Sequence, residues 1–138
     1  MSKTHKNKTF ACLLAVILGG LGAHRFYLRG AGDKLGLIHL SALPMAALVA
    51  GLAPQADWFF KLLPLLVSCV AGFVEALVIG VTPDEKWDAA MNAGSGQQSE
   101  SKWYLALLLV ATMMLGTTVL IATMSRLVDL LYTGGAYG

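Results

Sequence analysis

The stretch WFFKLLPLLVSCVAGFVEALVIGV, residues 58–81, decides the fold class of this chain. A helix needs about 20 apolar residues to cross a hydrocarbon core about 30 Å thick, and this stretch exceeds that length with only Lys61 and Glu75 charged. Three further apolar runs cover residues 10–28, 35–52 and 103–131. The pattern predicts an all-α integral membrane bundle of about four hydrophobic helices, in which the first two form a tight hairpin.

The composition agrees with this prediction and argues against several classes of function. The 138 residues are 57% hydrophobic and 13% charged, whereas charged residues make up about 25% of a typical soluble domain. A net charge of +2 offers no basic footprint for a nucleic acid, so we expect no such partner. Cys12 and Cys69 lie within apolar runs without zinc-type spacing, so we expect no disulfide, no metal and no cofactor.

Polar segments divide the chain into four parts. Residues 1–9 form a basic polar tail, and residues 10–91 form a helical membrane domain with three hydrophobic segments. Residues 92–101, NAGSGQQSES, have the composition of a flexible linker, and residues 102–138 contain a further transmembrane helix and a short tail. The basic tail before an apolar run also imitates a secretory signal, but the polar continuation at His24 argues against that alternative.

Charge does not settle the orientation of the chain. With four full spans, lysine and arginine divide equally between the two sides of the membrane. The first run also has a short reach, because only residues 10–23 precede His24, and as a helix they extend about 21 Å. A short, tilted or re-entrant first segment is therefore an alternative to a full crossing. It would place the basic tail and the turn at residues 29–34 on the same side.

The densest group of informative residues follows the first apolar run and comprises Gly22, His24, Arg25, Phe26 and Tyr27. Around it, residues 6–40 read KNKTFACLLAVILGGLGAHRFYLRGAGDKLGLIHL and resemble the first half of the two-transmembrane (TM-two) domain family. That family has a basic tail, a helix with paired glycines, and an Arg-Phe-Tyr turn before a glycine-punctuated second helix. We therefore interpret residues 10–91 as a TM-two-like domain of a bacterial-type member with additional helices.

The resemblance is weaker beyond this segment. Within residues 72–92, Glu75 could stand at the acidic position that the family's second helix usually fills with aspartate. The apolar run at residues 35–52 intervenes, His24 stands where animal relatives have aspartate, and the helix from Trp103 lies outside the family pattern. The resemblance implies a helical membrane fold and a cytoplasmic arginine turn, but no reaction, because the family has no settled activity.

Glu75 is the only carboxylate well inside an apolar run. An ionised acidic residue at such a position costs about 3 kcal/mol or more on insertion scales, so we expect Glu75 to be paired or protonated. Arg25, His24 and His39 are its candidate partners. Three interpretations stay open, namely structural pairing, a proton or ion pathway, and an interfacial position without a pathway.

Small residues recur at every fourth position of the stretch 58–81 and form what we call the small-residue stripe: Ser68, Gly72, Ala76 and Gly80. Residues at this spacing lie along one face of a helix. Small side chains let a second helix approach closely, which is a main source of association energy between helices in lipid. The alternative is that such residues are merely common in membrane helices, and we favour helix contact.

These features favour a non-enzymatic, multi-pass protein of the bacterial inner membrane. We expect it to act in the lipid bilayer as a helix-packing scaffold or interaction subunit, as a homo-oligomer or with a membrane-protein partner. Its contact surfaces would be the Arg25 turn and the small-residue stripe. The alternative is a proton- or ion-coupled channel or transporter component in which Glu75 titrates and His24 or His39 relays the proton. A membrane enzyme would need a cluster of polar residues at one depth.

Overall fold

The structure, a computed structural model, describes residues 4–137, which form a helical bundle. The elements are α1 (Lys8–Leu18), a 3₁₀ helix (Gly19–Leu21), α2 (Ala23–Arg29), α3 (Lys34–Leu52), α4 (Trp58–Val81), α5 (Asp84–Met91) and α6 (Trp103–Tyr132). Within the described residues, α3, α4 and α6 are long and apolar enough to cross a membrane. The predicted all-α membrane bundle is confirmed, and the expected count of four hydrophobic helices is approximate.

The first apolar run, residues 10–28, is divided into α1, the 3₁₀ helix and α2. Gly22 separates the last two elements at a φ of 74°, a left-handed conformation that glycine adopts without a steric penalty. After it, α2 turns back along α1. The Tyr27 hydroxyl accepts a hydrogen bond from the Asn7 backbone N–H at 3.0 Å, and the Phe10 and Tyr27 ring centroids lie 5.1 Å apart. Together, α1 and α2 form a helical hairpin within the first apolar run, whereas the expected hairpin joined the first run to the second.

The tip of this hairpin reaches the middle of α4. The Ser68 hydroxyl donates to the Gly20 carbonyl at 2.7 Å, and Ser68 lies near the midpoint of α4, whose 24 residues extend about 36 Å. The start of the hairpin lies beside the end of α4, since the Lys8 ammonium donates to the Thr82 carbonyl at 2.7 Å. The hairpin therefore enters the bundle and returns at the same end. This geometry agrees with the re-entrant alternative for the first segment.

The small-residue stripe is the surface of α4 on which other helices of the chain pack. All four of its residues are buried. A Cβ added to Gly72 would lie 2.7 Å from the Cα of Gly19, so the two backbones are in contact there. Gly80 faces the side chain of Leu109 in α6. The stripe is thus occupied within the chain by the hairpin and by α6.

The bundle has two chemically different ends. At one end, which we call the basic end, lie the starts of α1 and α6 and the end of α4; at the opposite end, Arg126 of α6 pairs with Asp57 at 3.3 Å. Because the hairpin returns, the turn at residues 29–34 also lies at the basic end. The opposite end carries Lys61 and Arg126. In the described part of the chain, the cations of the basic end are Lys6, Lys8, Arg29, Lys34, Lys86 and Lys102.

Residues 92–101 form an irregular segment at the basic end, and part of it is bound to α5. Asp88 accepts hydrogen bonds from the Ser99 backbone N–H at 2.6 Å and from the Asn92 side-chain amide at 2.7 Å. Asp84 accepts a hydrogen bond from the Ser101 backbone N–H at 2.7 Å. The flexibility expected for this linker stays a prediction. In the folded chain, its residues 92, 99 and 101 are held by these hydrogen bonds, so free movement is confined to residues 93–98.

The hydrogen bonds that Asp88 accepts from Asn92 and Ser99 lower the pKa of its carboxyl from 3.8 to about 2. Since the folded pKa lies below the unfolded value, the contribution of Asp88 is complete above about pH 4 and is lost as the pH falls towards 2. We expect the hydrogen-exchange protection factor of the Ser99 amide to follow that profile. Asp88→Asn should lower this protection already at pH 7, and unchanged protection in this variant would contradict the assignment.

Candidate polar site within the membrane bundle

Glu75 of α4 forms a polar cluster with three side chains from two other helices, α2 and α3. The Nε of Arg25 donates to Oε2 of Glu75 at 2.8 Å, and its Nη2 donates to Oε1 at 2.5 Å. Such bidentate pairs are among the strongest hydrogen-bonded contacts between side chains. His24 of α2 and His39 of α3 complete the cluster. The structure thus brings all three candidate partners to Glu75, with Arg25 as the principal one.

His24 is fully buried and contacts the carboxylate through Nε2. An ionised carboxylate only accepts hydrogen bonds, so Nε2 is the protonated nitrogen. The other nitrogen, Nδ1, is buried without a hydrogen-bond partner among residues 4–137. A second proton on Nδ1 would be left unpaired in these surroundings, at a considerable desolvation cost. The geometry therefore fits a neutral His24 that orients the Glu75 carboxylate.

His39 links the cluster to the tip of the hairpin. The Ser68 hydroxyl gives its one proton to the Gly20 carbonyl, so its oxygen accepts a hydrogen bond from Nδ1 of His39 at 2.7 Å. The proton of a neutral His39 is therefore on Nδ1. Its Nε2 lies 3.6 Å from Oε1 of Glu75 and carries a proton only when the ring is charged. Protonation of His39 would turn a lone pair facing the carboxylate into an attractive ion pair.

Two cavities meet at Glu75. One, which we call the basic-end cavity, has a volume of about 380 Å³ and extends between α2, α4 and α5 from Glu75 to Lys86. The other, the α3–α4 cavity, has a volume of about 690 Å³ and extends from Glu75 to Val49 and Phe60, near the opposite end. Glu75 lines both cavities, and its partner Arg25 lines the basic-end cavity.

The remaining motif residues hold the hairpin in place. A Cβ on Gly22 would lie 2.8 Å from the Gly36 carbonyl oxygen, so the hairpin and α3 touch through their backbones. Phe26 covers Gly36, since a Cβ there would lie 2.8 Å from the Phe26 ring. Tyr27 ties the returning helix to Asn7. These residues orient α2 so that His24 and Arg25 face Glu75.

The role of Ser68 was missed by sequence reasoning, which assigned it only to the small-residue stripe. Its hydroxyl connects the hairpin tip to His39. A signal for this role exists in the sequence, because Ser68 and Glu75 are seven positions apart, about two helical turns, and so lie on similar faces of α4. Within the described part of the chain, no group of three or more His, Cys, Asp or Glu residues is arranged to hold a metal ion.

Three helices able to span a bilayer, a helical hairpin and a paired carboxylate between them define an integral membrane protein with several transmembrane segments. Residues 4–59 match the family model of the TM2 domain, which confirms the TM-two resemblance over α1, α2 and α3. No curated protein and no solved structure matches the chain.

The extent of the TM2 match changes one detail of the resemblance. The match includes residues 35–52, so this apolar run belongs to the matched segment and does not interrupt it. The match ends at residue 59, in the first turn of α4, and Glu75 lies beyond that point. The correspondence between Glu75 and the family's acidic position is therefore outside the match, and Glu75 belongs to α4, the second of the three helices long enough to span a membrane.

Proposed function

We propose that this protein is a non-catalytic membrane scaffold, or interaction subunit, whose re-entrant hairpin is locked onto α4 by the Arg25–Glu75 pair. The bidentate geometry of that pair is the observation that carries the proposal. Arginine remains charged at any physiological pH, so its partner carboxylate is required to neutralise it inside the bundle. Each charge of the Arg25–Glu75 pair then has a structural purpose.

The contacts within the chain also limit where a partner can bind. The small-residue stripe is covered by the hairpin and α6, so a second copy or another membrane protein has to use other surfaces. This differs from our expectation that the stripe itself contacts a partner. Assembly as a homo-oligomer, or with another membrane protein, stays part of the proposal.

The distribution of charge supports an orientation with the basic end in the cytoplasm. Once the hairpin is counted as re-entrant, six cations among residues 4–137 (Lys6, Lys8, Arg29, Lys34, Lys86 and Lys102) lie at that end, against two (Lys61 and Arg126) at the other. The excess follows the positive-inside rule, and it removes the tie found for four spans. We extend the proposal to a bacterial inner membrane, in which the tail and the linker would both face the cytoplasm.

Cysteine labelling tests this topology. In a background without Cys12 and Cys69, single cysteines at Ala31 and Ser95 should react with an impermeant maleimide from the same side as a cysteine at Thr4. A cysteine at Gln55 should react only from the opposite side and serves as the control. Labelling of Ala31 from the side of Gln55 would mean that the first segment crosses the membrane.

A proton- or ion-coupled pathway is the second candidate function. It is favoured by one observation: Glu75 lines both the basic-end cavity and the α3–α4 cavity, which extend towards opposite ends of the bundle. His39 would act as the relay, because protonation of its Nε2 changes its interaction with the carboxylate. The tight pairing of Glu75 with Arg25 argues against this candidate.

Proton flux in liposomes separates the two functions. The scaffold proposal predicts no flux above that of protein-free liposomes, and no change in Glu75→Gln or His39→Asn. His39→Asn is the sharper variant, because its amide can still donate to Ser68 while the Arg25–Glu75 pair is retained. His5→Asn, at the basic end, is the matched control. Flux that is present in the native protein and abolished by His39→Asn alone would replace the scaffold by a pathway.

A further inference from the structure

The basic-end cavity has the size and lining of a binding site. Its volume of about 380 Å³ lies within the range of roughly 300–1,000 Å³ that is usual for small-molecule sites. Thr82 lies in its wall near the end of α4. Most of the wall is apolar and consists of Leu28, Val78, Ile79, Trp87, Ala90 and Met91.

Two cations of this cavity are available to a ligand. Arg25 is committed to Glu75, whereas Arg29 and Lys86 line the cavity without such a contact. Arg29 is 56% exposed and forms only a loose ion pair with Asp33 at 3.9 Å, a distance too long for a hydrogen bond, so a ligand can compete for it. Lys86 has no ion-pair partner among residues 4–137. The cavity therefore has a surplus of positive charge at its outer end.

The cations and the apolar wall are arranged along the direction of the bundle. Arg29 ends α2 and Lys86 lies in α5, so both lie at the basic end of the bundle, beyond the apolar part of α4. Val78 lies about one turn before the end of α4, a helix long and apolar enough to cross a membrane, and the residue is 59% exposed. The indole N–H of Trp87 donates to the Lys6 carbonyl at 3.1 Å and holds α5 over the cavity. A ligand here meets charge at its outer part and apolar groups at its inner part.

We propose that the basic-end cavity binds one anionic phospholipid, with its phosphate between Arg29 and Lys86 and an acyl chain against Leu28 and Val78. The two cations account for the phosphate, and the opening beside Val78 lets the chain continue into the bilayer. An anionic headgroup is favoured over a zwitterionic one because it leaves no second cation facing Arg29 and Lys86. This inference is independent of whether the protein acts as a scaffold or a pathway.

Native mass spectrometry of the detergent-solubilised full chain tests the proposal. Phosphatidylglycerol and phosphatidylcholine with identical acyl chains are titrated separately, and the bound fraction is measured for each. We expect one phosphatidylglycerol to bind with clear preference. Each cation near an anionic headgroup contributes about a 5-fold effect, so Arg29→Gln with Lys86→Gln should weaken binding about 25-fold.

Matched variants separate a site from a generally basic surface. Lys34→Gln with Lys102→Gln removes the same charge from the same end outside the cavity and should leave the affinity within about 2-fold. Arg29→Lys with Lys86→Arg keeps both charges and should retain the preference, which guards against misfolding as the cause of a loss. Equal losses in the two glutamine pairs would overturn the proposal. So would displacement of the lipid by glycerol phosphate at the same concentration, since that result assigns a free phosphate site.

Discussion

Replacement of Glu75 by alanine is expected to lower the free energy of unfolding by about 3–5 kcal/mol. The variant leaves Arg25 inside the bundle without the carboxylate that neutralises it, and arginine cannot discard its charge. His24 also loses the acceptor of its Nε2 proton. Most of the expected loss is thus the cost of two unpaired groups, and the native pair itself contributes less than this value.

Reversible unfolding in mixed micelles, monitored by circular dichroism, measures this loss. Asp57→Asn is the matched control, because it breaks the Arg126–Asp57 pair at the opposite end, where both side chains are partly exposed. An exposed pair of that kind contributes up to about 1 kcal/mol. Removal of both Arg25 and Glu75, as Arg25→Leu with Glu75→Leu, should cost much less than the two single losses added together. Equal stability of Glu75→Ala and Asp57→Asn would exclude a locking role for the pair.

Gly72→Ala is expected to destabilise the protein by about 1–3 kcal/mol and to loosen the hairpin from α4. The added Cβ would lie 2.7 Å from the Cα of Gly19 and 3.2 Å from the carbonyl oxygen of Ala15. Both atoms belong to the backbone, so no side chain can rotate away and the hairpin tip itself has to move. Displacement of the tip would also stretch the hydrogen bond between Ser68 and Gly20.

The same unfolding measurement tests the glycine, with Gly51→Ala as its control. Gly51 lies near the end of α3, where nothing lies within 4 Å of an added Cβ. Alanine is the better helix former by about 1 kcal/mol, so Gly51→Ala should be neutral or stabilising. Maleimide labelling of Cys69, whose thiol lies beside Gly20, should become faster in Gly72→Ala. Unchanged stability and unchanged labelling would show that the tip tolerates displacement.

Several features of the fold could be predicted because their causes are local. The apolar length of residues 58–81 is sufficient for a spanning helix whatever its neighbours are, and this stretch is α4. The four-residue spacing from Ser68 to Gly80 depends only on helical geometry, and all of these residues are buried. The cost of an ionised carboxylate in hydrocarbon indicated that Glu75 is paired or protonated, and the sequence offered Arg25, His24 and His39 as candidate partners.

Other features depend on contacts between distant parts of the chain. The sequence singled out Gly22 as part of a motif, but its left-handed conformation, which divides the first apolar run, depends on the contact with Gly36. The occupant of the small-residue stripe could equally have been a second protein. The two cavities depend on where along α4 the helices α2, α3 and α5 pack, and the sequence does not give these positions.

By itself, the sequence determined that this chain is a helical membrane protein, that the runs forming α3, α4 and α6 are long enough to span, and that Glu75 must be paired or protonated. The tertiary structure alone decided that the first segment returns and that Arg25, His24 and His39 all reach one carboxylate. The physical reason is that hydrophobic length and helical spacing act within a segment. The depth at which side chains meet is set by the backbone contact of Gly19 with Gly72, which joins two segments distant in the sequence.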